Sequence, residues 1–128
     1  MKVSIEHIAI YTYDLERLRA FYEKYFLAKS NVKYQNQSGF SSYFLKFSSG
    51  ARIELMSHTE LKDRKSEDKV TGISHIAFSV GSRGDVMAIT ERIVSDGYTL
   101  LSPPRETGDG YYESCIADPG GNRIEITI

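Results

Sequence analysis

The sequence predicts an α+β fold in which two tandem βαβββ modules form curved mixed sheets. Three observations predict this fold. A short motif occurs twice, each copy is followed by the same succession of strand and helix patterns, and one His and one Glu recur at matching places in the two copies. Self-similarity of this kind indicates a duplicated structural unit.

The repeat is visible at both ends of each copy. Residues 5–9 read I-E-H-I-A and residues 73–77 read I-S-H-I-A, while residues 50–55 read G-A-R-I-E-L and residues 121–126 read G-N-R-I-E-I. The two pairs lie in the same order at nearly equal spacing, so the chain is a diverged tandem duplication. A unit of roughly sixty residues is marginal alone and gains stability by pairing with its copy.

The length of 128 residues is typical of a single domain. We therefore predict a single domain over residues 1–128. Its first module covers about residues 1–57 and its second about 72–128, and the polar, charged segment 58–71 links them.

The first module alternates between strand and helix signals. Asp14 is a good N-cap for a helix whose apolar side chains fall on one stripe, and Ser48-Ser49-Gly50 makes a turn. In order, the predicted elements are a strand at Val3–Tyr11, a helix at Leu15–Phe26, a weak strand at Val32–Gln35, and strands at Phe40–Phe47 and Ala51–Met56.

The second module repeats this layout. Asp85 is predicted to cap a helix that runs through Ser95 and stops at Gly97, and Pro103-Pro104 is predicted to break the chain after a strand. The predicted strands are Ile73–Val80, Tyr98–Leu101, Tyr111–Ala117 and Asn122–Ile128.

Side-chain alternation separates the two faces of these strands. The large aliphatic residues complete one face of each strand without the His or the Glu, and the helices can cover that face. The opposite face carries two imidazoles, two carboxylates and two small residues: His7, Glu54, His75, Glu125, Ala9 and Ala77. Small residues beside ionisable ones predict a hollow on this face.

Two inward-facing carboxylates repel each other and lose hydration unless a cation compensates them. A divalent metal removes that penalty, and two imidazoles with two carboxylates suit Ni²⁺, Co²⁺, Zn²⁺ or Fe²⁺. We therefore predict one divalent ion on His7, Glu54, His75 and Glu125. The plainer interpretation is that arginines neutralise the two Glu, since Arg52 and Arg123 each precede a Glu by two residues.

Composition narrows the class of function. Lys plus Arg number 16 against 17 for Asp plus Glu, and this balance disfavours nucleic acid as a partner. The single cysteine, Cys115, allows no internal disulfide and is expected to be a small hydrophobe in a strand. The first ten residues lack the apolar run of a signal peptide, and no segment is long enough to cross a membrane, so we expect a cytoplasmic protein.

These residues resemble the vicinal oxygen chelate superfamily and, within it, glyoxalase I. The likeness covers nearly the whole chain. It rests on His7, Tyr13-Asp14-Leu15, Phe21-Tyr22, Glu54, the segment Gly72–Phe78 and the segment Asp118–Glu125. The resemblance implies paired βαβββ modules that form a cup around a metal ion, often in a homodimer.

The resemblance also implies a chemistry and a set of residue roles. The metal ligands of glyoxalase I-like enzymes fall on His7, Glu54, His75 and Glu125. The implied reaction is isomerisation of the hemithioacetal of a thiol and a 2-oxoaldehyde, with the metal as the Lewis acid that stabilises an enediolate. Glu125 is the expected proton-transferring carboxylate, and Glu54 is a ligand that can exchange roles with it.

The sequence departs from glyoxalase I at three places. The arginine expected four residues after the first His is Tyr11, and the asparagine expected four residues after the first Glu is His58. The usual Leu-Gly after the first helix is replaced by Phe26-Leu27-Ala28. The metal set therefore carries over to this chain, and glutathione as the thiol does not.

Two other function classes stay open. One is another enzyme of the superfamily, such as an epimerase, a thiol transferase or a dioxygenase, and the other is a non-catalytic drug-binding resistance module. A set of side chains is predicted to rim the cup, with Arg105 facing an anionic group of the substrate: Tyr43, Met56, Arg105, Tyr111 and Tyr112.

Overall fold

The structure is a computed structural model that describes residues 1–65 and 69–128. It divides into two compact units at the boundary between residues 65 and 66. Residues 66–68 of the predicted linker lie outside the described part of the chain, and His58, predicted to begin the linker, ends a strand. None of the helices among the described residues has the length and apolar character needed to span a membrane.

The first unit contains one helix and a five-stranded mixed sheet. Its elements are β1 (His7–Tyr11), α1 (Leu15–Phe26), β2 (Lys29–Ser30), β3 (Tyr34–Gln35), β4 (Phe40–Lys46) and β5 (Arg52–His58). The sheet order is β1-β5-β4-β2, and β3 also pairs with β4. Strands β1 and β5 are parallel, whereas the other pairs are antiparallel.

The second unit repeats this arrangement with four strands. Its elements are β6 (Ile76–Ser79), α2 (Arg83–Ser95), β7 (Leu100–Glu106), β8 (Tyr112–Ala117) and β9 (Arg123–Thr127). The sheet order is β6-β9-β8-β7, with β6 and β9 parallel. The predicted α+β fold with a repeated βαβββ pattern is therefore confirmed.

The helix α1 has the predicted bounds. It begins after Asp14, whose carboxylate accepts a hydrogen bond from the Arg17 N–H at 3.0 Å. This bond satisfies one of the backbone donors that every helix start leaves without an intrahelical partner. The face turned to the sheet is rich in aromatic rings, and its buried residues are Leu15, Leu18, Phe21, Tyr22, Tyr25 and Phe26.

The start of α2 corrects the sequence prediction. The N-cap is Ser82 and not Asp85, and the Ser82 hydroxyl accepts from the Asp85 N–H at 3.1 Å. The same hydroxyl donates to the Asp85 carboxylate at 2.6 Å. Asp85 therefore lies in the first turn, where its negative charge interacts favourably with the positive end of the helix dipole.

Strand β7 also corrects the prediction. Pro103 and Pro104 were expected to break the chain, but they lie inside a strand that runs from Leu100 to Glu106. The strand is at the edge of its sheet, and its register with β8 shifts between Ser102 and Arg105. Proline is tolerated at such a place because an edge strand with an irregular register does not need every backbone N–H.

The two faces of each sheet differ as the alternation predicts. On β5 and β9 the residues toward the helix are fully or almost fully buried: Ile53, Leu55, Ile124 and Ile126. The residues between them, Glu54 and Glu125, keep partial exposure. Each sheet thus contributes one face to a core and leaves the other face open to carry polar side chains.

The residue after α1 holds an unfavourable backbone conformation. Leu27 adopts φ +56°, the left-handed region that favours glycine, and its side chain is 79% exposed. We predict that Leu27→Gly raises the free energy of unfolding by about 1 kcal/mol, because it removes the Cβ clash and loses little packing. Chemical denaturation of the variant and the wild type measures the difference.

Gly97 provides the matched control in the second unit. It follows α2 at φ +96° with open space around its Cα, so Gly97→Ala tests the same conformational cost with the opposite sign. A stabilising Gly97→Ala, or a destabilising Leu27→Gly, would contradict this account of the two helix ends.

Candidate metal centre

The first unit brings His7 and Glu54 together. Parallel pairing sets Ala9 opposite Glu54 and His7 opposite Arg52, so His7 and Glu54 are diagonal neighbours on one face of the sheet. The His7 Nε2 lies 3.7 Å from the Glu54 Oε1. Their side chains are 39% and 16% exposed, so both are accessible from outside the unit.

The second unit brings His75 and Glu125 together in the same way. His75 directly precedes β6, whose parallel partner β9 carries Glu125 opposite Ala77. The predicted strand from Ile73 therefore begins three residues later than expected, but the His still points to Glu125. The His75 Nε2 lies 3.1 Å from the Glu125 Oε2, and these side chains are 38% and 25% exposed.

The arginine before Glu54 does not neutralise it in the way the plainer interpretation expected. Arg52 forms an ion pair with Glu6, and its guanidinium lies over the Phe44 ring, 4.3 Å from the centroid. The group that faces the Glu54 carboxylate is instead the His7 imidazole. The Glu54 carboxylate therefore lies beside an imidazole and not beside the Arg52 guanidinium.

Each histidine also has a partner at its second ring nitrogen. The His7 Nδ1 contacts the Glu6 carboxylate, and the His75 Nδ1 lies 3.0 Å from the Ser74 hydroxyl. The His7 imidazole and then the Arg52 guanidinium lower the pKa of the Glu6 carboxyl below its ordinary value of 4.5. Groups that bind the second nitrogen of a ligating His fix its tautomer and its ring orientation.

Two residues that the sequence analysis did not place at the site lie beside Glu125. The register pairs Cys115 with Glu125 and Glu113 with Thr127, so the two β8 residues share the face of Glu125. Burial, and a hydrogen bond that the protonated Glu113 carboxyl donates to Glu125, raise the pKa of the Glu113 carboxyl above its ordinary value of 4.5. Burial also raises the pKa of the Cys115 thiol. The alternation of β8 was a usable signal for both residues, because it places them on one face.

The residues predicted to rim the site are divided between the two faces. Tyr43 is buried toward α1, where its hydroxyl donates to Glu16 at 2.7 Å, so its prediction as a rim residue is wrong. Tyr112 is also unlike the prediction, since it shares the helix face with Ser114 and its ring lies 4.6 Å from the Arg83 guanidinium carbon. Arg105 lies across from Glu113 on the strand pair β7–β8.

Met56 and Tyr111 complete the predicted rim. Met56 lies two residues after Glu54 on β5, so its side chain is on the same face of the sheet as Glu54. Tyr111 directly precedes β8 and is 57% exposed. Of the five predicted rim residues, Met56 and Arg105 are thus the two that lie on a strand beside the paired His and Glu or its neighbouring carboxylate.

The donor chemistry of the two pairs fits a divalent metal. Each pair offers an imidazole nitrogen and a carboxylate oxygen that face each other, which is the ligand combination that borderline metals prefer. Within residues 1–65 and 69–128, however, no three His, Cys, Asp or Glu side chains are grouped closely enough to hold a metal ion. Each unit therefore presents two donors, and neither presents a complete ligand set.

Two βαβββ-like units, each with a His–Glu pair on an open sheet face, define a protein built from two copies of one structural module. The Glyoxalase/Bleomycin resistance protein/Dioxygenase superfamily matches residues 4–126, and the chain belongs to this superfamily. The protein YqjT of Bacillus subtilis (strain 168) is 26% identical over 125 residues, which cover 95% of this chain and 96% of YqjT.

Solved structures share the fold. A glyoxylase/bleomycin resistance protein/dioxygenase domain from Frankia sp. EAN1pec has a TM-score of 0.84 at 20% identity and covers 100% of this chain and 98% of its own. Glyoxalase I from Zea mays has a TM-score of 0.78 at 22% identity over 97% of this chain. The match spans only 44% of the maize chain, so this chain has less than half its length.

The turn before β9 holds Glu125 in register. Asp118 is 4% exposed, and its carboxylate accepts from the N–H groups of Gly120 and Asn122, each at 2.9 Å. We predict that Asp118→Ala lowers the free energy of unfolding by about 3 kcal/mol, because the part-buried hydrogen bonds to this charged acceptor are lost. Asp109→Ala, in the exposed turn before β8, is the control, and equal losses in the two variants would refute this role.

Proposed function

We propose that this protein is a metal-dependent, glyoxalase I-like lyase or isomerase. Its substrate is a small molecule with two adjacent oxygens, such as the hemithioacetal of a thiol and a 2-oxoaldehyde. Superfamily membership supports this proposal, and so does the fold shared with glyoxalase I from Zea mays. The observation that carries it is the repeated His–Glu pair on the open face of each sheet.

The proposed metal ligands are His7, Glu54, His75 and Glu125. Because each unit offers one imidazole and one carboxylate, a four-ligand set takes one pair from each kind of unit. Such a set can combine units of one chain or of two chains, and we propose a homodimer as the working assembly. The donor types favour Ni²⁺, Co²⁺, Zn²⁺ or Fe²⁺.

The proposed reaction moves one proton between neighbouring carbons. A bound divalent ion supplies a Lewis acid for the two adjacent oxygens of the substrate. The Glu125 carboxylate takes the proton from the carbon that bears sulfur and returns it to the adjacent carbon, while the hydroxyl proton on the first carbon's oxygen passes to the oxygen of the second, so a hemithioacetal becomes a 2-hydroxyacyl thioester. Glu54 is proposed as the second carboxylate able to carry that proton.

The thiol is proposed to be different from glutathione. The position that resembles the glutathione-binding arginine of glyoxalase I is Tyr11, which is 55% exposed on the same side of β1 as His7. His58 stands at the position of the expected asparagine, and its Nδ1 accepts from the Glu60 N–H at 3.0 Å. Neither side chain offers the permanent positive charge that a glutathione carboxylate would need.

The metal site makes the first prediction of this proposal. Wild-type protein is purified without a tag and its metal content is measured. It is expected to hold close to one divalent ion per chain, because each chain supplies one His7, one Glu54, one His75 and one Glu125. His75→Ala is expected to lose most of it, because removal of one ligand of four weakens binding by a factor of about 10 or more.

His58→Ala is the matched control, since this imidazole is outside the proposed ligand set. Its metal content is expected to equal that of the wild type. If the wild type binds no metal even after incubation with Ni²⁺, Co²⁺ and Zn²⁺, the chelate mechanism is refuted and the drug-binding resistance module becomes the favoured function.

The role of Glu125 makes the second prediction. Glu125→Gln keeps the shape and the oxygen donor but cannot accept the proton, so kcat is expected to fall by a factor of about 100 or more. Thioester formation from methylglyoxal with several thiols measures the activity, and metal content is measured on the same samples. Arg105→Ala is measured beside it, and an unchanged KM there would exclude a contact between Arg105 and the substrate.

A further inference from the structure

The two histidines of the candidate site are held differently at their second ring nitrogens. Glu6 and Ser74 occupy corresponding places, since each directly precedes its histidine in the repeated motif. A carboxylate thus contacts the Nδ1 of His7, whereas a hydroxyl contacts the Nδ1 of His75. An ionised carboxylate only accepts hydrogen bonds, but a hydroxyl can either donate or accept.

Glu6 is itself held in place, because its carboxylate contacts two side chains of a closed cluster and its backbone carbonyl accepts one hydrogen bond. The Arg52 guanidinium pairs with Glu6, and the Arg52 N–H donates to the Glu6 carbonyl at 3.0 Å. The guanidinium lies over the face of Phe44, and the edge of the Phe44 ring packs against His7 with 5.3 Å between centroids. Glu6, His7, Phe44 and Arg52 therefore form a closed cluster, which we name the His7 clamp.

We propose that Glu6 is a positioning residue that holds His7 with its proton on Nδ1 and its Nε2 lone pair directed to the metal. This inference rests on the proposed metal site, which it deepens. The tautomer that His7 needs for metal binding is thereby already present in the metal-free protein. His75 is not prepared in this way, because its Nε2 lies 3.1 Å from the Glu125 carboxylate and there favours a proton on Nε2.

The inference predicts that the two histidines bind metal with different rearrangements. His7 needs no change of tautomer, since its Nδ1–H group already donates a hydrogen bond to the Glu6 carboxylate. His75 has to move its proton from Nε2 to Nδ1, where the resulting Nδ1–H group can donate a hydrogen bond to the Ser74 hydroxyl. Loss of the carboxylate behind His7 is therefore expected to weaken metal binding more than loss of the hydroxyl behind His75.

The first test reads the tautomers directly in metal-free protein. The chain has three histidines, so their ring ¹⁵N–¹H correlations are few and can be assigned by single substitutions. At about pH 8.5, which is about two units above the ordinary pKa of a histidine side chain, His7 is expected as the Nδ1–H form. His58 is the internal reference for the opposite form, because its Nδ1 accepts from the Glu60 N–H.

Three variants separate the contributions to the His7 clamp. Glu6→Ala is expected to convert His7 to the Nε2–H form, Glu6→Gln keeps a carbonyl acceptor and is expected to retain the Nδ1–H form, and Ser74→Ala leaves His7 unchanged. Glu6 lies outside β1 with 62% of its side chain exposed, so these substitutions spare the core. Far-UV circular dichroism checks the fold of each variant.

The second test is titration of each protein with Co²⁺. Glu6→Ala is expected to weaken binding by a factor of about 10 to 100. Arg52→Met, which keeps Glu6 but removes its anchor, is expected to give a smaller loss, and Ser74→Ala a smaller loss than Glu6→Ala. These affinities are read from the cobalt absorption bands and need no activity.

The outcomes distinguish this inference from the proposed function. If the wild type binds no metal, the proposed function fails, and the tautomer of His7 in Glu6→Ala still decides whether Glu6 positions the ring. If the wild type binds metal but Glu6→Ala keeps either the Nδ1–H tautomer or the wild-type affinity, the inference is overturned while the proposed function stands.

Discussion

The parallel pairing of the first and last strands of each unit is the constraint on which the rest of the structure depends. It joins β1 to β5 and β6 to β9, and so brings each His next to a Glu that lies far along the chain. Parallel strands cannot be joined by a tight turn, so a helix and a set of antiparallel strands fill the connection. The fold of each unit is what is needed to hold its two ends side by side.

Alternation along the paired strands then decides what each face does. Because successive side chains point to opposite faces, Ile53 and Leu55 enter the core beneath α1 while Glu54 between them faces outward. The same separation recurs at Ile124, Glu125 and Ile126. The core and the candidate site are therefore made by alternating residues of the same strands, and a shift of one residue in register would exchange the two faces.

Much of this arrangement could be predicted from the sequence, because its signals are local or repeated. The bounds of α1 follow from Asp14 and an apolar stripe, and the motifs around His7 and His75 show the duplication directly. The placement of the His and the Glu on the face opposite the large aliphatic residues follows from period-two alternation alone. These features need no knowledge of which atoms meet across the fold.

The details that sequence reasoning missed depend on register and on competition between neighbouring side chains. Asp85 and Ser82 are both good N-caps, and only the path of the chain selects Ser82. Arg52 had two carboxylates within reach, and the ion pair with Glu6 is set by backbone contact between Glu6 and Arg52 at the start of the paired strands. Glu113 was missed because its proximity to Glu125 requires the register of β8 against β9.

The prolines of β7 affect how readily the protein aggregates at high concentration. An outermost strand with partly exposed Leu100 and Leu101 is a template on which a strand of another molecule can be laid down, the first step toward aggregates. Pro103 and Pro104 lack backbone N–H groups, and since successive N–H groups of a strand point to opposite edges, one of the two prolines removes a donor from the outer edge, where the register with β8 also shifts. This edge is therefore protected from fibre-like growth by the same two residues that at first suggest the absence of a strand.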